Sequence, residues 1–307
     1  MIRFLARRFL YVIVTVLLAT IIVFGLSRMT GDPRYLYLSE YSHVSEDVWD
    51  AWGVAMGLDK PLAMQYLIWL GKAVTGDWGQ SIVNGRPAFN AVIERIPATL
   101  QLTLGGFVFS VIFGIPLGVV SAVKRGSIWD YIGRIFAVLG QSLPSFWIAI
   151  VFILIFAVNF GILPTSGRGG WNHYVMPSVA LGWVASAGFL RLTRSAMLDV
   201  LDSEFVKYAR AKGVGRYKVV WKHALRNAII APLTYAGLLL AGFATGSVVI
   251  ETVFAWPGLG LLSINAVYNN DFPVLTGAVL VFAVIYVLMA FVVDVTYAFL
   301  DPRIRYR

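Results

Sequence analysis

The sequence predicts an all-α integral membrane protein with six transmembrane helices, and three observations carry that prediction. Hydrophobic residues make up 59% of the 307 and charged residues 13%, whereas soluble domains carry roughly a quarter charged. Six apolar runs are long enough to cross a hydrocarbon core of ~30 Å at ~1.5 Å per residue. The Lys and Arg residues lie mainly at the ends of those runs, where they meet headgroups and set topology. The net charge of +9 therefore points to membrane lipid and not to nucleic acid. With no cysteine there is no disulfide, zinc cluster or thiol nucleophile. His43, His173 and His223 fall far apart in different loops, so no metal site is expected.

The first run, 9–27, follows Arg3, Arg7 and Arg8 and resembles the charged and hydrophobic parts of a signal peptide. At about 19 residues it is long enough to span, and no small-x-small cleavage site follows. The expectation is a retained first helix, 1–27, with its N-terminus in the cytoplasm. Residues 28–97 contain no spanning run and hold eight acids against six Lys or Arg, which suits an external subdomain. Within it, 61–74 can form a short amphipathic helix with Leu62, Tyr66, Trp69 and Ala73 on one face. Gly71, Gly76, Gly79 and Gly85 then mark turns. Trp49, Trp52, Trp69 and Trp78 are expected to pack this subdomain as a cap or to lie at headgroup level.

Five further apolar cores lie near 98–122, 135–160, 174–196, 228–250 and 274–299. Counting loops alternately places 18 basic residues inside and 7 outside, the asymmetry of a six-helix protein with both termini cytoplasmic. The tail 301–307 adds Arg303, Arg305 and Arg307 to the inner side. Gly105, Gly106, Gly114, Pro116 and Gly118 stud the second core, Gly140 and Pro144 the third, and Pro177, Gly182 and Gly188 the fourth. Two GxxxG spacings, Gly114 to Gly118 and Gly242 to Gly246, let helix backbones approach closely. Pro116, Pro144, Pro177 and Pro232 free carbonyls that neighbouring helices or water must satisfy. Asp294 is the one acid read as lying well inside an apolar core. A proton relay would need a second buried acid or histidine, so a structural role near the cytoplasmic end is expected.

No phosphate-binding loop, G-x-S-x-G elbow or H-E-x-x-H pair occurs. The chain is not a self-contained ATPase or hydrolase, and no cofactor is expected on it.

The most informative stretch is 203–234. From Lys207 to Arg226 it carries seven Lys or Arg and no acid. Its first part places Phe205, Tyr208 and Ala209 on one helical face and Lys207 and Arg210 away from it. Lys212 precedes Gly213, Val214 and Gly215, where glycine accepts a left-handed cap. A second amphipathic stretch follows, with Tyr217, Val220, Trp221 and Ala224 facing one way. Such a helix–turn–helix suits docking to a partner, and equally a surface helix resting on anionic lipid.

The runs YARAKG and HALRNA, followed by Pro232, resemble the permease signature of binding-protein-dependent ABC importers in its peptide and nickel branch. Of the family's general pattern, Ala209, Gly213 and Leu225 are kept. Lys207, Tyr208 and Arg226 depart toward that branch. QYLIWLGKAVTGDWGQS, RIPATLQLTL, GIPLGVVSAVKRGS, LPSFWIAI, WPGLG and the ending DPRIRY follow in family order, with Leu261 a departure after PGLG. The resemblance implies a five-helix type I ABC importer permease core within 98–300, in a bacterial or archaeal cytoplasmic membrane. It also implies a second homologous permease, two ABC ATPase subunits that bind ATP and Mg²⁺, and an external substrate-binding protein. The coupling loop 203–227 lies between helices 4 and 5. Its contacting residues would be Phe205, Lys207, Tyr208, Ala209 and Arg210, then Lys212, Gly213, Val214, Gly215 and Tyr217. The turn-rich stretch 251–273 is expected as a gate or a contact for the binding protein. The implied cargo is a di- or oligopeptide; nickel, opines and oligosaccharides belong to the same importer class. An ion-coupled secondary transporter would instead call for paired internal repeats and a midplane ion site.

Overall fold

The computed structural model describes residues 2–29, 34, 45–55 and 57–300. The side chains of Arg3 and Trp52, together with His43 and the basic tail with the DPRIRY ending, fall outside what is described. Regular structure among the described residues is helical throughout, apart from one isolated antiparallel bridge, Gln80 to Pro87. The chain divides into two units, Met1–Ala98 with Pro257–Phe291, and Thr99–Trp256 with Val292–Arg307.

In the first unit, α1 (Ile2–Met29) is followed by α2 (Glu46–Ala55) and α3 (Leu62–Val74), the amphipathic helix expected at 61–74. Tyr66 and Trp69 of α3 stack around Phe24 of α1, with ring centroids 5.6 Å apart in both pairs. Tyr66 also shares a 2.9 Å hydrogen bond with Thr20. A short α4 (Ala88–Ile93) follows, and Trp78 meets Phe89 edge-on at 5.0 Å. The chain rejoins this unit at α13 (Leu259–Tyr268) and α14 (Phe272–Leu300). Asp271, buried between them, accepts hydrogen bonds from the Ser81 hydroxyl and the Ile82 amide. Trp78 lies so close to Gly277 that a Cβ there would clash with its ring.

The second unit is organised around α8 (Asn172–Leu201). Packed on it are α5 (Ile96–Val123), α6 (Ile128–Ser142), α7 (Ser145–Phe152) with its π-helical continuation Ile153–Asn159, and α12 (Ile230–Val253). Between α8 and α12 lie α9 (Glu204–Ala211), α10 (Arg216–Lys218), a π-helical turn Val219–Ala224, and α11 (Leu225–Ala228).

Glycines set the spacing. A Cβ at Gly114 would fall 2.5 Å from Phe189 Cβ, and one at Gly118 2.7 Å from the Leu190 carbonyl oxygen. That GxxxG pair is therefore one part of the contact of α5 on α8, held by close van der Waals approach, and Gly105 and Gly106 meet Ser178 and Leu181 further along it. Gly188 similarly receives the Tyr235 hydroxyl of α12, and Gly140 receives Ala187. A Cβ built at Gly242 would meet nothing within 4 Å among the described residues, and Gly246 lies outside the described side chains.

Among the described residues, four stretches are long and apolar enough to cross a membrane: Ala6–Met29, Ala88–Val123, Asn172–Leu201 and Phe272–Val295. The core expected as one run at 135–160 is instead a bent pair, Ile128–Ser142 and Ser145–Asn159, turning by 109°. Pro144 is the cause, because its ring disfavours helix at the preceding residue. Leu143 accordingly sits at φ −95°, ψ 129°. Counting the pair as one span makes five. The remaining core lies in the 24-residue α12, whose described apolar portion is Ile230–Leu240.

Candidate coupling site

The loop between α8 and α12 is a small folded platform. Its core gathers Val119 and Ala122 from the end of α5, Met197 from α8, Val206 from α9, and Val219, Val220, Ala224 and Ala228 from the returning helices. Val206 is completely buried, so one valine anchors α9 on the ends of α5 and α8. The aromatic residues of α9 point elsewhere, Phe205 being 44% and Tyr208 68% exposed. Ala209 is half-buried against the core. Lys207 reaches Glu204 at 2.8 Å, a solvent-exposed pair, and Arg210 and Lys212 are exposed.

A single glycine ends α9. Gly213 has φ +76°. Its amide bonds the Arg210 carbonyl at 2.9 Å, and the Val214 amide bonds the Ala209 carbonyl at 3.2 Å. This is a Schellman cap with glycine at the left-handed position and an apolar contact across it, since Ala209 and Val214 both pack on the core. Gly215 starts α10. Tyr217 is 75% exposed and lies 6.3 Å from Trp221. The second amphipathic stretch thus divides: Val220 and Ala224 face the core with Val219, while Tyr217 and Trp221 face out. The exposed side of the platform combines Phe205, Tyr208, Tyr217 and Trp221 with Lys and Arg.

Beside this platform, the buried carboxylate of Asp130 joins three elements. Asp130 is 1% exposed. It accepts hydrogen bonds from the Ser121 hydroxyl at 2.7 Å, the Gly126 amide at 3.0 Å, and Arg194 Nε and Nη2 at 2.8 and 3.1 Å. The guanidinium fork thus ties α8 to the start of α6 and the end of α5 in bidentate geometry. Sequence reading missed this clamp, having singled out Asp294, which is half-buried. It also missed Glu251, fully buried near the end of α12 with the Thr99 and Ser247 hydroxyls donating to it at 2.7 and 3.0 Å. The available signal for Asp130 was Arg194, one of two basic residues, with Arg191, inside an apolar run.

Within the stretch 251–273, α12 ends at Val253 and the chain turns at Ala255, φ +46°, while Trp256 is buried edge-on to Tyr174 at 5.1 Å. The Gly167 amide donates to the Phe254 carbonyl at 2.8 Å, and Arg168 lies over the Trp256 ring. Among the described residues no group of three or more His, Asp or Glu gathers as a metal-holding cluster.

The loop between α8 and α12 is thus an anchored platform that presents an exposed aromatic and basic face. Residues 114–306 match the family described as the binding-protein-dependent transport system inner membrane component, and residues 1–103 match the N-terminal region of the same membrane components. The chain belongs to this family. It is 38% identical over 308 residues to the glutathione transport system permease protein GsiC of Escherichia coli (strain K12), covering the whole of both chains. Against the protein of that name in Salmonella choleraesuis (strain SC-B67) it is 38% identical over 313 residues, again over the whole of both.

Two inward-facing crystal forms of the MetNI methionine ABC transporter share the fold. One has a TM-score of 0.56 at 24% identity, over 68% of this chain and 96% of that one. The other has 0.54 at 21%, over 66% and 93%. The chain is thus a membrane-spanning permease component of a binding-protein-dependent transport system, a multi-pass protein of the inner membrane.

Proposed function

We propose that the chain forms the translocation pore of an ATP-driven importer for di- or oligopeptides. It pairs with a second homologous permease, two ATPase subunits bind ATP and Mg²⁺ beneath, and an external binding protein delivers the cargo. Whole-length similarity to a glutathione transport permease carries this reading, glutathione being a short peptide. The chain then crosses the membrane six times with both termini cytoplasmic, and the loop 203–227 faces the motors.

In this reading α9 is the coupling helix. Phe205, Lys207, Tyr208 and Arg210 insert into a cleft of the ATPase, while Val206 and Ala209 transmit the push to α5 and α8. Lys212, Gly213, Val214 and Gly215 fix the angle of the handle, and Tyr217 extends the contact. An exposed face of aromatics and cations on a firmly anchored short helix fits that role. Aromatic and Arg side chains are the usual anchors of protein interfaces.

The test is affinity purification from membranes followed by uptake in liposomes. Recovery of a second permease and an ATPase, with ATP-dependent uptake of a tripeptide presented by the binding protein, is the expected result. A lone chain or homodimer would overturn the assembly, and uptake of nickel, an opine or an oligosaccharide in place of peptide would overturn the cargo.

A further inference from the structure

Arg191 has no place in the coupling platform, and its position calls for one. It lies on α8, a 30-residue candidate span about 45 Å long at ~1.5 Å per residue, whose halfway point falls at Ala187. Its side chain is exposed and donates through Nη1 to the Gln141 side-chain oxygen at 3.1 Å. Gln141 follows Gly140, the residue that packs against Ala187. The guanidinium therefore reaches back toward the helix midpoint, the direction in which helical side chains lean. A lipid-facing arginine does the opposite and snorkels to the nearer headgroups.

A cation at membrane depth faces protein or a water-filled cavity, because hydrocarbon penalises it heavily. No carboxylate among the described residues forms an ion pair with Arg191. The surroundings are polar: Gln141 and Ser142 are both exposed where α6 breaks at Leu143–Pro144. On α12, the Tyr235 hydroxyl packs at Gly188, one helical turn from Arg191. An exposed arginine, a carboxamide and a hydroxyl at mid-depth do not form a lipid-facing surface. They suit a passage for a hydrated solute.

We propose that Arg191, flanked by Gln141 and Ser142, lines the translocation path and contacts the carboxylate of the solute in transit. The guanidinium offers the paired donors that a carboxylate accepts, and Gln141 holds it in place while the path is empty. The anion-attracting path stands on the geometry of α6 and α8. The assignment of the anion to a cargo carboxylate rests on the peptide reading above.

The experiment uses the assembled complex in liposomes. Because the chain has no cysteine, Ser142→Cys gives it one thiol, scored on the permease after the partner chains are separated. Sulfonate-bearing and trimethylammonium-bearing methanethiosulfonates are compared with and without ATP. Each rate is taken relative to the same reagent's rate with a free thiol in solution, because a thiolate by itself favours the cationic reagent. The expected result is reaction in at least one nucleotide state, with the anionic reagent roughly tenfold faster on that relative scale, as a nearby unpaired cation produces. Arg191→Gln should bring the two rates together and Arg191→Lys should restore the difference.

No reaction with either reagent in any state would mean that lipid or protein covers this face, and overturns the proposal. Equal rates with Arg191 in place would mean that a partner carboxylate neutralises it, and overturns the proposal equally. In uptake, Arg191→Gln should raise the apparent KM for a free tripeptide and leave that for its C-terminal amide unchanged. An equal change for both would overturn the carboxylate contact. If the labelling pattern holds while no peptide is imported, the cargo reading fails and the anion-attracting path stands.

Discussion

Gly213 shows how much one residue without a side chain can determine. Nothing lies within 4 Å of a Cβ built there, so space is not the constraint; backbone conformation is. At φ +76° an L-residue with a branched Cβ costs about 1–2 kcal/mol or more, and the cap would relax into another turn. Gly213→Val is therefore expected to insert and assemble normally while α9 points in a different direction. ATP hydrolysis should persist at near wild-type rate with uptake reduced at least several-fold, measured side by side in liposomes. Normal uptake would count against a fixed handle. The glycine was legible in the sequence from its spacing. The anchor was not: Val206 looks like any apolar residue in a short helix until the ends of α5 and α8 are seen to meet it. Phe205 and Tyr208, the larger side chains, are the ones left outside.

Among the elements, α8 is the shared partner of α5, α6, α7 and α12, and its small residues make that possible. Ser186, Ala187 and Gly188 admit Gly114, Gly140 and Tyr235 in turn on successive faces. Gly118→Leu should force α5 away from the Leu190 carbonyl and Thr193, at a cost of about 1–3 kcal/mol for overpacking. The expected readout is a lower melting temperature of the detergent-solubilised chain and reduced recovery of complex. An unchanged melting temperature would show that the two helices part easily. Periodicity and length made the helices legible, and the GxxxG spacing marked this contact. The bend within 128–159 was harder to see, because a proline in an apolar run reads as a kink in one span until the two arms are placed.

At the scale of the molecule, the two units differ in what holds them. The first is fastened by aromatic stacking and by Asp271, a carboxylate between α13 and α14 that captures the loop at Ser81 and Ile82. The second rests on close backbone packing and on carboxylates buried among hydroxyls and a guanidinium. Composition and the placement of Lys and Arg made the membrane class readable from the chain alone. The buried acids were not readable, because a charge near the end of an apolar run looks like an interfacial residue whether it faces headgroups or an arginine 64 residues away.

That separation bears on how the chain is made. When α6 leaves the ribosome it carries Asp130 to the membrane boundary with only Arg134 beside it, a half-exposed cation 3.8 Å away on the same helix. The arginine that clamps it in bidentate geometry has yet to be synthesised. Burying the carboxylate fully before α8 emerges would carry a desolvation cost that one exposed cation offsets poorly, so α6 is expected to settle when α8 arrives. Asp130→Asn removes that requirement from α6 but leaves Arg194 to be buried without its counter-ion, a loss of about 3–5 kcal/mol. In staged translation arrests, α6 of the wild-type chain should stay accessible to an aqueous probe before residue 194 emerges and become protected after it. The Asp130→Asn chain should protect α6 early and lose the second step. Protection of wild-type α6 before α8 appears would show that the clamp plays no part in biogenesis.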